Sequence, residues 1–435
     1  MLSSAGGLSA RVVALVITRM RTVGCVMSKP VDLSRRNFLG QSSKGLAAVA
    51  VGSSLLSMTQ PLAAQSLAEL GDLGAPNSFG MRLPEGFSAR VIARAGHRLE
   101  KDRWWRRTLY RWHTYPDGGA TFPTDDGGWI YVSNSETISL LGGGAAAVRF
   151  DHRGTVQDAY RILGGTNLNC AGGPTPWNTW LSCEEVDLGR VFECDPYGRK
   201  APVARPALGL FKHEAVAVDT IFGHLYLTED ESDGRLYRFI PDGLTADGRL
   251  DLSRGTLQVA SVDTQGYVSW INLPNPTPNL FQKRTREQVP ESTAFNGGEG
   301  IWFSDGRVIF TTKGDNRVWG LDTNLQQLEV IYDAATAENP VLTGVDNVTV
   351  SSGGDILVAE DGGDMQIVVI DGTGKVAPLM QIVGQDGSEI TGPAFSPDGS
   401  RLYFSSQRGG GIFGGGNGFG ITYEIRGPFE QYMSV

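Results

Sequence analysis

Cys170, Glu184 and Glu185 fall within one run, NLNCAGGPTPWNTWLSCEE (167–185), where a thiol precedes a Gly-Gly turn, two tryptophans follow, and a second cysteine leads into adjacent glutamates. Packing does not demand that pattern, whereas a thiolate and a carboxylate returning to one place suit a metal. Further acids occupy matching places elsewhere in the chain. Six segments repeat one hairpin: TFPTDDGGWIYVSNSE (121–136), CAGGPTPWNTWLSCEE (170–185), EAVAVDTIFGHLYLTE (214–229), EGIWFSDGRVIFTTK (299–313), DNVTVSSGGDILVAE (346–360) and TGPAFSPDGSRLYFSSQ (391–407). Each opens at a small or polar residue, runs through an apolar strand, turns at Gly, Asp or Asn, and returns to polar or charged residues. Opening and closing positions lie 14 to 16 residues apart, and the starts fall 49, 44, 85, 47 and 45 residues apart.

A period near 45 with about four strands per unit is the signature of a propeller blade. The chain is therefore expected to be all-β, a six-bladed β-propeller with seven blades as the alternative, forming one domain over residues 65–435. The 58 glycines fit many short strands joined by tight turns. The 85-residue step contains NLPNPTPNLFQKRTREQVPEST (272–293), polar and with four prolines, so an insertion is expected around 240–295. EKDRWWRRTLYRW (100–112) reads as an amphipathic helix or cap over blade edges, with a substrate lid as the alternative.

The innermost strand of each blade lines the central channel, so equivalent hairpin positions become a ring. That ring collects Glu136, Cys170, Glu184, Glu185, Glu214, Glu229, Glu299, Asp346 and Glu360 at one axial mouth, with Asp230 and Asp361 just behind. Two like charges at about 4 Å repel by roughly 4 kcal/mol at an effective dielectric near 20, so such acids must protonate or bind cations. Of the five histidines just His213 adjoins a ring position, which argues against a histidine-rich zinc site. Many carboxylates favour calcium, and a single thiolate among them points to iron.

Bulk properties limit the partners. A net charge of -9 disfavours nucleic acid, and no basic run with interleaved aromatics appears. No GxSxG elbow, CxxC pair or P-loop is present, and GGGIFGGGNGFG (409–420) reads as a flexible loop near the last strands. SRRNFLG (34–40), the apolar stretch 46–56 and small residues around Ala64 form a twin-arginine signal. Residues 27–64 are then the signal, 1–26 an over-extended start before Met27, and the mature protein is periplasmic or secreted, exported folded by the twin-arginine machinery and without a stable membrane span. Beyond the signal, Cys183 and Cys194 are the near-neighbour choice for a disulfide, which leaves Cys170 unpaired.

The stretches AVRFDHRG (147–154), NCAGGPTPWNTWLSCEE (169–185), HEAVAVD (213–219), YLTEDESDGRLYRF (226–239), DNVTV (346–350) and TGPAFSPDGSRLYF (391–404), with the twin-arginine signal, resemble the PhoX-type alkaline phosphatases. The resemblance implies a shorter, divergent member: a six-bladed propeller holding a pair of irons and several calcium ions, with a small phosphomonoester as substrate. By motif, Cys170, Glu185 and Glu229 look like iron ligands and Glu299 and Asp346 like shared iron or calcium ligands; Glu184, Glu214 and Glu360 complete the set. No side-chain nucleophile is implied, since metals would activate water.

Departures from the family fall on phosphate-binding positions. Gly297 stands where an arginine is usual, Asn134-Ser135-Glu136 replaces Asn-His-Glu, and Gln407-Arg408-Gly409-Gly410 replaces Gln-His-Pro-Gly. Arg408 or Lys313 is expected to supply the missing cation toward substrate. A calcium-dependent lactonase-like hydrolase and a non-catalytic, metal-stabilised binding propeller are the alternative readings.

Overall fold

The computed structural model describes residues 65–102, 105–338, 340–410 and 418–432. The start-site and signal expectations, residues 1–64, lie outside the described residues, as does most of the glycine-rich loop; Gly409–Gly410 and Phe419–Gly420 themselves lie in strands. Among the described residues every helical turn is of the 3₁₀ type, and no helix is long and apolar enough to cross a membrane.

Six antiparallel sheets of four or five strands follow one another along the chain. The first two strands of each, from blade 1 to blade 6, are Pro116–Pro123 and Trp129–Ser135, Asn169–Pro174 and Trp180–Glu184, His213–Asp219 and His224–Glu229, Gly298–Ser304 and Arg307–Thr312, Val345–Val350 and Ile356–Glu360, and Ile390–Phe395 and Arg401–Gly410. The first strand of each blade packs on the first strand of the next, and that of blade 6 returns to blade 1, so the ring closes at six and leaves no room for a seventh. An N-terminal segment fastens the ring. Ser88–Arg94 forms the outer edge of blade 6 on Phe419–Arg426, and Met81–Arg82 pairs with Val376–Ile382 on the edge of blade 5.

Apolar layers between blades supply the cohesion. Tyr131, Phe150 and Tyr403 stack at 5.2 Å between blades 1 and 6, and Leu181, Val216, Leu227, Tyr237 and Phe239 fill the space between blades 2 and 3. Burying one such side chain contributes about 1.5–3 kcal/mol.

Two sequence readings need correction. The proposed insertion around 240–295 is narrower, because Gly255–Val262 is the fourth strand of blade 3 and Val268–Asn272 a fifth; past Asn272 the stretch holds a single 3₁₀ turn, Thr285–Glu287. The described residues of the stretch 100–112 form no helix. Arg98–Glu100 and Arg107–Arg111 form a hairpin packed along the outer strand of blade 1, Val156–Gly164. Burial alternates along the second strand, with Thr108 buried between exposed Arg107 and Leu109, and long aromatic and basic stems gave that strand its helical look.

Cys170, Cys183 and Cys194 are all free. Cys183 pairs in register with Val191, while Cys194 pairs with Trp180, three residues away. An odd offset puts the two thiols on opposite faces of the sheet, Cys183 in the layer toward blade 3 and Cys194 in the layer toward blade 1, so no disulfide forms.

Candidate metal centre

One irregularity recurs at the same point of the first strands. Asp117-Gly118, Cys170-Ala171, Glu214-Ala215, Glu299-Gly300 and Asp346-Asn347 each set two residues opposite one on the second strand. Such a bulge bends the strand and re-aims a side chain, here the chemical residue that opens each pair. In four of the five pairs the partner is Gly or Ala, because the neighbouring backbone is close: a Cβ on Gly118 would lie 2.5 Å from Ala171 Cα, and one on Gly300 2.5 Å from Val348 N. These small residues, with Trp180 and Gly392, pinch the channel beneath to a cavity of about 30 Å³ and so make a floor. Blade 6 bulges at Gly392-Pro393 instead and contributes Glu389 from just before its strand.

A second ring lies where the second strands end. The backbone N–H groups of Glu136, Glu185, Asp230, Lys313, Asp361 and Gln407 each donate to the carbonyl that precedes the blade's first strand, namely Tyr115, Leu168, Lys212, Gly297, Gly344 and Glu389. The six positions are therefore equivalent. Together the rings bring ligand atoms within 4.8 Å in four groups: Glu136, Cys170 and Glu185; Asp117, Glu136 and Glu389; Glu214, Glu299 and Asp346; Asp346, Asp361 and Glu389.

The surroundings of Cys170 answer why tryptophan and asparagine accompany it. Asn134 donates to the carbonyls of Cys170 and Ala171, and its own carbonyl accepts from Trp180 Nε1 and Ser182 Oγ, both at 2.8 Å. Trp180 thus fixes the bulge from below. Trp177 lies elsewhere, donating to Glu193.

The charges are far from balanced. Glu214 is fully buried, and neither of its carboxylate oxygens has a hydrogen-bond partner. Burial pushes its carboxyl well above the usual range, and the nearby Glu299, Glu185, Asp346 and Asp117 push it further. Burial and neighbouring acids raise Asp117, Glu299 and Glu389 in the same way, lift Asp346 to about 6 and Glu185 to about 7, and raise the Cys170 thiol. Three basic residues offset part of this. Lys212 Nζ lies 3.0 Å from Glu185 and 2.9 Å from Asp230, Lys313 Nζ touches Glu299, Asp346 and Asp361, and Arg408 Nη2 lies 2.9 Å from Glu389. The acids still outnumber them three to one. A buried carboxylate without a donor, set among acids and one thiol, fits a cation at the mouth.

Of the residues singled out from the sequence, Cys170, Glu185, Glu214, Glu299 and Asp346 come together here. Glu184, Glu229 and Glu360 do not. Glu184 accepts from the backbone N–H groups of Asn167 and Arg190, Glu360 from those of Thr343 and Gln366, and Glu229 from that of Arg235 and from Tyr237 Oη. Each precedes a mouth residue by one position, and successive side chains on a strand point opposite ways, so one acid of each pair staples the loop and the next faces the axis. Asp230 and Asp361, placed behind the ring by sequence, therefore belong to the mouth. Asp117 and Glu389 were missed. The first hairpin opens at Pro116 rather than at residue 121, and PDGG (116–119) was the available signal. His213 is buried against Phe211, and its Nε2 donates to the Gly209 carbonyl at 3.1 Å, away from the acids.

Arg408 borders an open cleft of about 260 Å³ shared with Tyr115, Glu136, Gln407 and Gly418. Gln407 Nε2 donates to Glu136 Oε2 at 2.7 Å and also reaches Asp117. Gly297 sits at φ +68°, a left-handed conformation that an arginine there would hold only under strain.

The Alkaline phosphatase PhoX family model matches residues 132–329. Among solved structures, Pseudomonas fluorescens PhoX in complex with vanadate, a transition state analogue, superposes with a TM-score of 0.66 at 18% identity, covering 83% of this chain and 98% of that one. A Bacteroides thetaiotaomicron protein of unknown function (TM-score 0.46, 10% identity, 78% and 76% covered) and the Xanthomonas campestris gluconolactonase XC5397 (0.41, 15%, 78% and 95%) are more distant. No curated protein matches in sequence. The family's sequence thus runs from the first blade through the fourth, on a six-bladed propeller whose mouth gathers acids and one thiol, and over those residues the chain is similar to the PhoX alkaline phosphatases.

Proposed function

We propose that the chain is an exported, metal-dependent phosphomonoester hydrolase whose site is the acidic mouth. The observation that carries this reading is Glu214, a buried carboxylate with no donor, aimed among Glu299, Asp346 and the other acids. Cys170 with Glu136 and Glu185 suits iron, and the all-carboxylate groups suit calcium. When bound, such ions would polarise the phosphoryl oxygens, offset the charge that develops on them and activate water.

The chain's own residues do the rest. The bulges hold Asp117, Cys170, Glu214, Glu299 and Asp346 on strands rather than on loops, which fixes them before substrate arrives. Beneath the ring the channel narrows to a cavity of about 30 Å³, so the mouth is the wider way in for substrate. Arg408 is 39% exposed there, and its planar guanidinium can grip two phosphate oxygens while Glu389 orients it from the other side. Glu184, Glu229 and Glu360 keep the hairpin ends in register beneath the ring. The twin-arginine signal supports export to the periplasm or beyond, in folded form.

Turnover of an aryl phosphate by the metal-loaded protein, with inhibition by vanadate, is the test. Turnover of a lactone but not of a phosphate ester would favour the lactonase reading, and no turnover with metals fully loaded would favour a binding propeller.

A further inference from the structure

Lys313 breaks the pattern of its ring. Its backbone position is equivalent to those of Glu136, Glu185, Asp230 and Asp361, yet it contributes a cation where four other blades contribute an acid. Its Nζ lies 3.2 Å from Glu299 Oε1, 3.1 Å from Asp361 Oδ2 and 3.8 Å from Asp346 Oδ2, so three carboxylates surround an ammonium that has three protons to donate. Two of the four ligand groups, Glu214 with Glu299 and Asp346, and Asp346 with Asp361 and Glu389, meet at this side chain.

The backbone that carries this side chain is held on both sides. Lys313 N donates to Gly297 O at 2.8 Å and Gly314 N to Asn296 O at 3.0 Å, and a Cβ on Gly314 would lie 2.3 Å from the Asn296 side chain. The backbone can therefore neither swing away nor accept a bulkier neighbour. A divalent ion on the same three carboxylates would have to sit within about 2.3–2.6 Å of their oxygens, which places it against the ammonium. One site cannot hold both. The lysine is covalently present at every ion concentration and loses no translational freedom on taking its place, whereas an ion must be bound from solution.

We infer that Lys313 is a resident cation of the mouth, filling between Glu299, Asp346 and Asp361 a position that a divalent ion would otherwise take, so that the chain holds fewer metal ions than its carboxylates could bind. This inference rests on the metal-binding reading above and reassigns Lys313 from substrate binding to charge balance. Lys212 differs, because it precedes its blade's first strand and spans just the rim acids Glu185 and Asp230.

The experiment compares the wild type with Lys313→Met and Lys313→Arg after dialysis against excess calcium, reading calcium per chain by elemental analysis. Lys313→Met is expected to hold one calcium more than the wild type, and Lys313→Arg the same number as the wild type. An equal calcium count in wild type and Lys313→Met overturns the inference. A wild type that retains no divalent ion at all overturns instead the metal-dependent reading beneath it. Should Lys313→Met fail to fold, reductive methylation of the wild type with and without calcium decides: equal protection of Lys313 in both is expected, and a rise in its labelling on calcium loading shows displacement and overturns the inference.

Discussion

Carboxylates at the two ends of this propeller live opposite lives. At the turn end, Asp151 accepts from the backbone N–H groups of Arg153 and Thr155, Asp371 from those of Thr373 and Lys375, and Asp398 from that of Ser400. Those donors hold the three carboxyls below the usual range, and hydrogen bonds from Thr124 and Arg149 hold Asp126 at about 2. At the mouth, Asp117, Glu214, Glu299 and Glu389 are buried among one another and pushed the other way. The residue types are the same. What differs is how far backbone donors satisfy the carboxyl: Asp117 accepts from the N–H of Gly118 alone and Glu214 from none, and a cation has to make up the rest.

Removing the cations should open the widest gap between the two ends. Excess chelator is expected to abolish phosphate-ester turnover and lower the melting temperature by several degrees, roughly 2–4 °C for each kcal/mol lost. The same metal-free protein should show a pH signature in calorimetry. Asp346 at about 6 and Glu185 at about 7 stand above their unfolded values, so the folded state binds more protons. Their contribution is complete below about pH 4 and is lost as pH rises through 6 to 7, so metal-free protein should melt higher at pH 5 than at pH 8. The turn-end acids act in the opposite sense, their contribution being lost only in acid, as pH falls through their depressed values. A metal-free melting temperature that is flat or rising from pH 5 to pH 8 would break the comparison.

Cys170→Ser sharpens it at one ligand. Iron content and any visible absorption should fall to background while calcium-dependent folding persists, and iron equal to wild type would remove the thiol from the site. Arg408→Ala comes next. A charge-assisted hydrogen bond contributes about 1.5–3 kcal/mol, so catalytic efficiency toward an aryl phosphate should drop roughly 10- to 150-fold with metal content unchanged. The smallest effect separates neighbours: Glu185→Gln should change metal content, whereas Glu184→Gln should cost about 1–3 kcal/mol of stability, read by denaturant unfolding, and leave the metals alone.

Much of this was legible in the sequence. The hairpin period gave the six blades, because inter-blade packing requires apolar strands at fixed intervals, and the acids at hairpin ends announced a charged mouth. What the spacing could not resolve was which of two adjacent acids faces the axis. Glu184, Glu229 and Glu360 look identical on paper to Glu185, Asp230 and Asp361, and the alternation of side chains at the end of the second strand decides between them. Asp117 escaped because the first hairpin is longer than the others. Glu389 escaped because blade 6 carries Gly392 at the ligand position and draws its acid from outside the repeat. At 100–112 the covering role was read and the helix was not found, since arginine and tryptophan stems suit a covering strand as well as a covering helix.

If metal ions hold the mouth acids together, elemental analysis of protein exported through its own signal should find iron and more than one calcium per chain, retained through purification and released together with activity by chelator. A folded protein that carries neither metal, and whose phosphate-ester turnover is indifferent to chelator, would contradict that reading of the mouth.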